Sequence, residues 1–533
     1  MKKILLFLLL ASFSSHSAQN LNSIFDEYVK LKQPEISEGQ EILGHPVSDN
    51  KCGFQTAAMI REHFDEFSPE QKVLLKTLAG RPTRQNSVVS PKGYFRVHYD
   101  TSGNNAIAYS LEELLIALDS SYTFEVTFLG YDAPPVDNNE GGDNLYDVYV
   151  SRLNSGTYGY TEFEEDLPGN RHTSYMMIDN DFANLFTSGI DGARVTVAHE
   201  FHHAIQIGNY LFRGDDTYYY EISSTAMEEF VYDDINDYYN YMGSYFAQPH
   251  KTISKNNGYN LAILNLFLQQ KFDHDLLKRI WEIMIEKPFL YAMDDALVER
   301  ESSLKEEFNH FGTWTFFTGR RAREGYFEEA EFYPLVTPVT SMEFEAPSAE
   351  IMVSTAPVTN NYVMFTTATD TIIALVTNAD ITSGVSSIYS LTQFDYGLYD
   401  TQVEGSARLD DNFYALFSSD EPDIFADIAF INNDFPIPLP AETNGEPYPL
   451  PFSYSIHTLI NIPVIGVNGD EVYLNVYSTG LELVADKIAI LYNGIVTWDA
   501  KTENGDKLPT GVYIYVFKNG DEVNKGKLVI FND

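Results

Sequence analysis

The chain has 533 residues, 44% of them apolar and 14% aromatic, too many for one core and enough for two to four globular domains. A formal charge of −43 excludes nucleic acid and anionic membrane as natural partners and suits a salty exterior, where screening relieves self-repulsion. The single cysteine, Cys52, excludes an intramolecular disulfide framework, so stability must come from burial, with bound metal as a further source.

The amino terminus reads as a secretory signal peptide over residues 1–18: Lys2 and Lys3, an apolar run from Ile4 to Leu10, and small residues from Ser12 to the expected cleavage near Ala18. No other apolar run is long enough to span a bilayer, so the expectation is a secreted protein, extracellular or surface-located, without a transmembrane segment. Residues 19–100 form an N-terminal region that could act as a pro-segment. In it, Ser68-Pro69-Glu70-Gln71 is a capping box with proline at the first helical position, and Gly80 is a stop signal. A strand is expected over Tyr94–Tyr99, with Phe95, Val97 and Tyr99 on one face and His98 facing solvent on the other. Ser110-Leu111-Glu112-Glu113 opens a second capped helix.

From about 129 to 190, turns alternate with short strands, including Tyr146–Val150 and Tyr175–Ile178, which implies a mixed sheet. In the same stretch Asp132, Asp137, Glu140, Asp143 and Asp147 crowd a glycine-containing loop. Calcium binding and a solvated acidic turn are both compatible with it, though no EF-hand spacing is present. A helix begins near Gly192 and carries His199-Glu200-Phe201-His202-His203. His199 and His203, four apart on a helix, present both imidazoles to one ion, and Glu200 stands beside them to handle a water. His202 is an alternative ligand at i,i+3, but only the His199/His203 register leaves Glu200 in place.

Two histidines leave a catalytic zinc one protein ligand short. A metzincin would need glycine at 206 and histidine at 209, where this chain has Gln206 and Asn209. Glu221, eighteen residues after His203, starts a second helical stripe (Ile222, Ala226, Phe230) and is the better candidate for the third ligand.

These residues resemble the gluzincin metallopeptidases, whose HExxH is followed about eighteen residues on by a ligand Glu, with another Glu seven later; Glu221 and Glu228 stand at that interval. The resemblance continues from Lys51-Cys52-Gly53 through Phe95–Tyr99 and Val195–Glu200 to about Trp314, where the chain is similar to a little-characterised family of secreted bacterial metalloproteases. Tyrosines at 218–220 depart from the tryptophan frequent before the ligand Glu, a difference of packing more than chemistry.

The resemblance implies an α+β gluzincin-like zinc metallopeptidase domain over 101–328. Zinc would be held by His199, His203 and Glu221, Glu200 would be the general base, and a protein or peptide would be the substrate. Glu228 would orient a ligand histidine, with a solvated helix charge as the equal alternative. Tyr259, just before the helix expected at Asn260–Gln270, matches where gluzincin aminopeptidases keep their transition-state tyrosine, while a packing role remains open. The aminopeptidase sequence Gly-x-Met-Glu-Asn is not found, which favours endopeptidase action. Cys52 invites a latency hypothesis, its thiolate filling the open zinc position, against a small buried residue.

Apolar residues return at helical spacing through Leu261, Leu264 and Leu268 and through Leu277, Ile280 and Met284. Beyond about 330 the texture becomes all-β, as in Ile372–Val376, giving an accessory β domain over 329–450 that ends in the proline-rich stretch Phe435–Pro451. The last domain, 451–533, resembles the Ig-like modules that address proteins to type IX secretion, through Trp498-Asp499, Asn504-Gly505 and Pro509–Tyr515. A partnership with secretion machinery follows from that resemblance, while Asn-Gly with alternating residues is also a plain hairpin signal. Two other functions stay open: a degenerate peptidase fold used for surface binding or adhesion, and a zinc hydrolase of non-peptide substrates.

Overall fold

The computed structural model describes residues 21–33, 51–343 apart from 154, 155 and 184, then 356 and 358–366, strands at 394–400 and 413–419, and much of 447–532. The signal peptide, the Ile372–Val376 run and most of Phe435–Pro451 lie outside the described residues. The chain divides into two compact units: one runs to Ser341 and takes in Asn360–Val363, and the other includes Met364–Asp400 and Phe413–Asp533.

The first unit is mixed α/β. Its helix α1 (21–32) buries Ile24, Tyr28 and Leu31. Helices α2 (Phe54–Glu62) and α3 (Pro69–Leu78) follow, and α3 starts with the expected box: Ser68 Oγ accepts from the Gln71 N–H at 3.2 Å while Gln71 Oε1 accepts from the Ser68 N–H at 3.1 Å. Strands β1 (Asn86–Val89), β2 (Phe95–Tyr99), β3 (Tyr146–Ser151), β4 (Gly159–Leu167) and β5 (Arg171–Asp179) form one sheet of order β1-β2-β3-β5-β4. β2, β3 and β5 run parallel, with β1 and β4 antiparallel at the edges, so the sheet spans both the 19–100 and the 101–328 regions.

Helix α4 (Leu111–Tyr122) begins with Ser110 Oγ accepting from the Glu113 N–H. α5 (Gly189–Asn209) packs against β5, β4, α4 and α6 (Thr217–Val231), and is buried without a break from Val195 to Gly208. A helix covered all round needs no polar face, so polar residues within it must be paired or chemically employed. After a short α7 (Gly243–Ala247), helices α8 (Ala262–Lys271), α9 (His274–Met284), α10 (Phe289–Val298) and α11 (Leu304–Phe316) complete the unit. The helix expected from Asn260 starts later: Tyr259–Leu261 is a 3₁₀ turn, because Gly258 enters it at φ +93°. A Cβ on Gly258 would lie 2.4 Å from Glu221 Cβ, so only glycine brings this turn against α6.

The second unit is built from strands. β6 (Thr340–Glu343), β7 (Thr359–Thr366), β8 (Phe394–Asp400) and β9 (Phe413–Ser419) make a sheet of order β6-β7-β9-β8, of which the start of β6 and residues 360–363 of β7 count with the first unit. β10 (Phe452–Ser453), β12 (Glu471–Ser478), β13 (Leu483–Ile490), β15 (Gly511–Asn519) and β16 (Glu522–Phe531) form a five-stranded sheet, with β11 (Ile460–Pro463) and β14 (Ile495–Trp498) as a second. Ile460, Ile462 and Val496 from the pair share one core with Leu474, Phe517 and Leu528 from the five, which is a sandwich arrangement. Gly505 (φ +81°) turns the chain within the 502–506 turn, where the Asn504-Gly505 signal places it. No helix among the described residues is long and apolar enough to cross a membrane.

Candidate metal centre

Helix α5 carries His199 and His203 one turn apart, and α6 brings Glu221 across to them. His199 Nε2 and His203 Nε2 are 3.1 Å apart, and Glu221 Oε2 is 3.1 Å from the first and 3.3 Å from the second. All three side chains are buried.

The far side of each ring fixes its tautomer. His199 Nδ1 donates to Glu228 Oε1 at 2.7 Å. His203 Nδ1 donates to Gln206 Oε1 at 2.8 Å, and Gln206 is oriented in turn by its Nε2 donating to the Tyr220 carbonyl at 3.1 Å and to Ser224 Oγ at 3.2 Å. Both Nε2 lone pairs therefore face one another and a carboxylate oxygen, an arrangement that repels unless a cation sits among them. A proton can serve. Burial works against a charged His199, but its hydrogen bonds to Glu221 and Glu228 outweigh that and raise it to about 9. Burial likewise opposes the Glu221 charge, yet His203 and His199 hold it down to about 2.

The spacing also suits a metal ion. A tetrahedral zinc with bonds of roughly 2.0–2.1 Å sets its nitrogen and oxygen ligands about 3.3 Å apart, close to the 3.1–3.3 Å measured here. Glu221 Oε1, fully buried, accepts no hydrogen bond, as a ligand carboxylate would not need to.

Glu200 sits one residue along α5 from His199. Thr161 Oγ1 on β4 is 2.8 Å from the Glu200 carbonyl and 2.9 Å from Glu200 Oε2. With one hydrogen, that hydroxyl donates to the carboxylate while Glu200 is ionised, and donates to the carbonyl while accepting from the carboxyl when Glu200 carries its proton. Burial raises the Glu200 carboxyl above the usual range, and His199 and His203 pull it partly back. The strand reaches this close because Gly159 has no side chain: a Cβ there would lie 2.7 Å from Thr196 Cγ2 and 3.1 Å from Glu200 Cγ.

Cys52 joins the cluster, its sulfur and the ligand atoms of His199, His203 and Glu221 all lying within 4.8 Å of one another. The Phe54 N–H donates to the sulfur at 3.2 Å, and burial together with Glu200 and Glu221 pushes the thiol up. Tyr259 is also here. It is buried, its ring centroid is 6.1 Å from that of His199, and its hydroxyl donates to the Cys52 carbonyl at 3.4 Å. His202 faces elsewhere: its Nδ1 meets Glu125 Oε2 at 2.9 Å, in a buried pair outside the cluster.

Several contributors carry no signal of their own in the sequence, Thr161 among them. Phe54 stacks on the His203 ring at 4.0 Å. Lys51, buried, reaches Glu228 Oε2 at 2.5 Å and Asp237 Oδ2 at 2.7 Å, while Asp237 Oδ1 accepts from Tyr158 OH at 3.0 Å. Lys51 belongs to the Lys51-Cys52-Gly53 triplet, but its partners lie 177 and 186 residues away. The tyrosines before Glu221 pack: Tyr219 stacks on Phe289 at 3.6 Å, and Tyr220 meets the Trp281 ring edge-on at 4.8 Å.

The acidic loop is organised by arginines. Arg81 donates to Asp137 and Glu164 at 2.6 Å each and also pairs with Asp147, while Arg96 pairs with Asp143. His98 is half-buried, with its Nε2 2.6 Å from Asp147 Oδ1, instead of facing solvent. Arginine charge thus lies against three of the five loop carboxylates, Asp137, Asp143 and Asp147.

No family model matches the chain, and no curated protein matches it. Among solved structures, parts of the chain are similar to PorZ, a surface component of the type IX secretion system of Porphyromonas gingivalis (16% identity, 16% of this chain and 11% of that one, TM-score 0.14). Another is latent dimeric PorU of the same organism (13% identity, 37% of this chain and 19% of that one, TM-score 0.14). The chain spans less than a fifth of either protein, and likeness at this level carries no argument about fold or chemistry.

Proposed function

We propose that the chain is an exported zinc-dependent endopeptidase of gluzincin type, with His199, His203 and Glu221 as ligands. The observation that carries this is the mutual approach of three buried donor atoms to 3.1–3.3 Å, with both imidazole lone pairs turned inward. Zinc bound there would lower the pKa of a coordinated water to about 7 and polarise a substrate carbonyl. Glu200, anchored by Thr161, takes the proton of the attacking water and returns it to the leaving amine. Burial keeps that carboxyl proton-affine, which suits both halves of the task. Glu228 holds His199 by its Nδ1–H, and Gln206 does the same for His203. Tyr259, whose ring packs 6.1 Å from that of His199, is the donor we assign to the developing oxyanion. The C-terminal sandwich, from its sequence resemblance, would be the module read by type IX secretion machinery.

The test compares purified zinc-loaded protein with its Glu200→Gln variant on casein and on a quenched peptide library. Zinc content equal in both, with hydrolysis lost only in the variant, supports the reading. Equal and measurable hydrolysis by both removes Glu200 from the mechanism and sinks it.

A further inference from the structure

Lys51, Cys52 and Gly53 run along the outer edge of β4, the last strand of the sheet. The Gly53 N–H donates to the Gly159 carbonyl at 2.9 Å, the Tyr158 N–H donates to the Lys51 carbonyl at 2.7 Å, and Cys52 bridges Gly159 in parallel. This is the stretch of β4 that lies against Glu200. An extended peptide entering such a site gains its backbone hydrogen bonds by adding to an exposed strand edge. Here a piece of the chain already does so. It also presents a carbonyl, that of Cys52, to the Tyr259 hydroxyl, and a side chain to the three ligands.

We propose that residues 51–53 are an internal occupant of the substrate groove and that the Cys52 sulfur is the fourth ligand of the bound metal, so that this conformation is latent. The inference rests on the zinc reading above. Zinc with four protein ligands has no position left for water, the arrangement of structural sites. Around zinc a sulfur stands about 3.6 Å from a nitrogen ligand, so a sulfur already within 4.8 Å of every donor needs only a small side-chain adjustment. Glu221 Oε1, on the carboxylate whose other oxygen meets both histidines, is buried and accepts no hydrogen bond.

The seat is held on both sides: Lys51 by Glu228 and Asp237, and Phe54 by its stack on His203. Withdrawal of Cys52 would free the fourth position, the Tyr259 hydroxyl and the β4 edge together. Pairing and coordination thus block the site at three points with one short segment.

The test loads full-length protein with cobalt(II) and records its absorption spectrum. A thiolate-to-cobalt charge-transfer band in the near ultraviolet is expected in the wild type and lost in Cys52→Ser, with peptide hydrolysis by the zinc form of that variant rising about tenfold or more as the fourth position opens. Cobalt bound to the wild type without the sulfur band overturns the proposal and leaves the peptidase reading standing. If the wild type binds no metal at all, both fall. The wild-type spectrum decides even where the variant fails to fold. A Cys52→Ser protein that binds zinc yet cuts no faster also overturns latency.

Discussion

Glu228→Gln is the most informative single change, because Glu228 serves two buried cations or donors at once. Its Oε1 accepts from His199 Nδ1 at 2.7 Å and its Oε2 takes the Lys51 ammonium at 2.5 Å. A glutamine of the same shape keeps one oxygen; its NH₂ must then face either the Lys51 ammonium or the His199 N–H, both donors. One charge-assisted hydrogen bond is lost outright, worth about 1.5–3 kcal/mol, and the imidazole loses the negative charge that makes it a better ligand. The expected loss of zinc affinity is therefore about 10–100-fold, or roughly 1.4–2.7 kcal/mol. Competition against a chromophoric chelator at fixed pH measures it, and the melting temperature of chelated protein separates affinity from folding. A Glu112→Gln variant, at an exposed helix position, serves as the control. A folded Glu228→Gln protein with wild-type zinc affinity would refute the assignment of Glu228 as the residue that orients His199.

Lys51→Met leaves Glu228 and Asp237 buried without their cation and should cost about 3–5 kcal/mol, read as a lower urea midpoint of the first unit; an unchanged midpoint contradicts the burial of that pair. Thr161→Val removes the hydroxyl that anchors Glu200, so hydrolysis should fall while zinc content stays at wild type, and a parallel loss of both would point to misfolding instead. Glu229 sets a pH dependence. Burial first, then Glu329 and Asp233, push it up to about 9 from an ordinary 4.5. Between those values the unfolded chain has released a proton that the folded one still holds, so stability should fall as pH rises from about 4.5 towards 9. Glu229→Gln should flatten that slope and raise the melting temperature at pH 8; identical slopes in the two proteins would remove Glu229 as its source.

Local signals in the sequence were legible because they are settled within a few residues. Ser68 and Gln71 close their box, Ser110 caps α4, and Gly505 turns where Asn-Gly says it should. The four-residue spacing of His199 and His203 likewise needs only the pitch of α5. What could not be read is what β4 and the 51–54 segment bring to that helix. Thr161, Phe54 and Lys51 have ordinary neighbours in sequence, and their partners lie on elements placed by the whole fold. The acidic loop makes the same point: nothing in its own spacing announces Arg81, which pairs with Asp137 from more than fifty residues earlier. His98 was assigned to solvent by strand alternation, which holds only if nothing covers that face, and Asp147 on the adjacent β3 meets it.

The centre and the segment that reaches it are coupled through one side chain. Glu228 divides its charge between His199 and Lys51, and Lys51 adjoins Cys52, so any movement that withdraws Lys51 leaves Glu228 to His199 alone. Burial disfavours a charged Lys51, yet Asp237 and Glu228 hold its ammonium above the ordinary lysine range, so the lysine stays charged and the coupling is electrostatic. A double-mutant cycle should expose it. Glu228→Gln in the Lys51→Met background no longer strands an ammonium, and it relieves one of the two unpaired carboxylates, so the pair should cost less than the sum of the single changes by about 0.5–3 kcal/mol. The same cycle read in zinc affinity should show Lys51→Met binding zinc at least as tightly as wild type, since a carboxylate freed of its ammonium raises the basicity of the imidazole it holds. Strict additivity in both readouts would mean that His199 and Lys51 share an oxygen-bearing neighbour without sharing its charge, and the link between the metal centre and the 51–53 segment would then rest on backbone pairing with β4 alone.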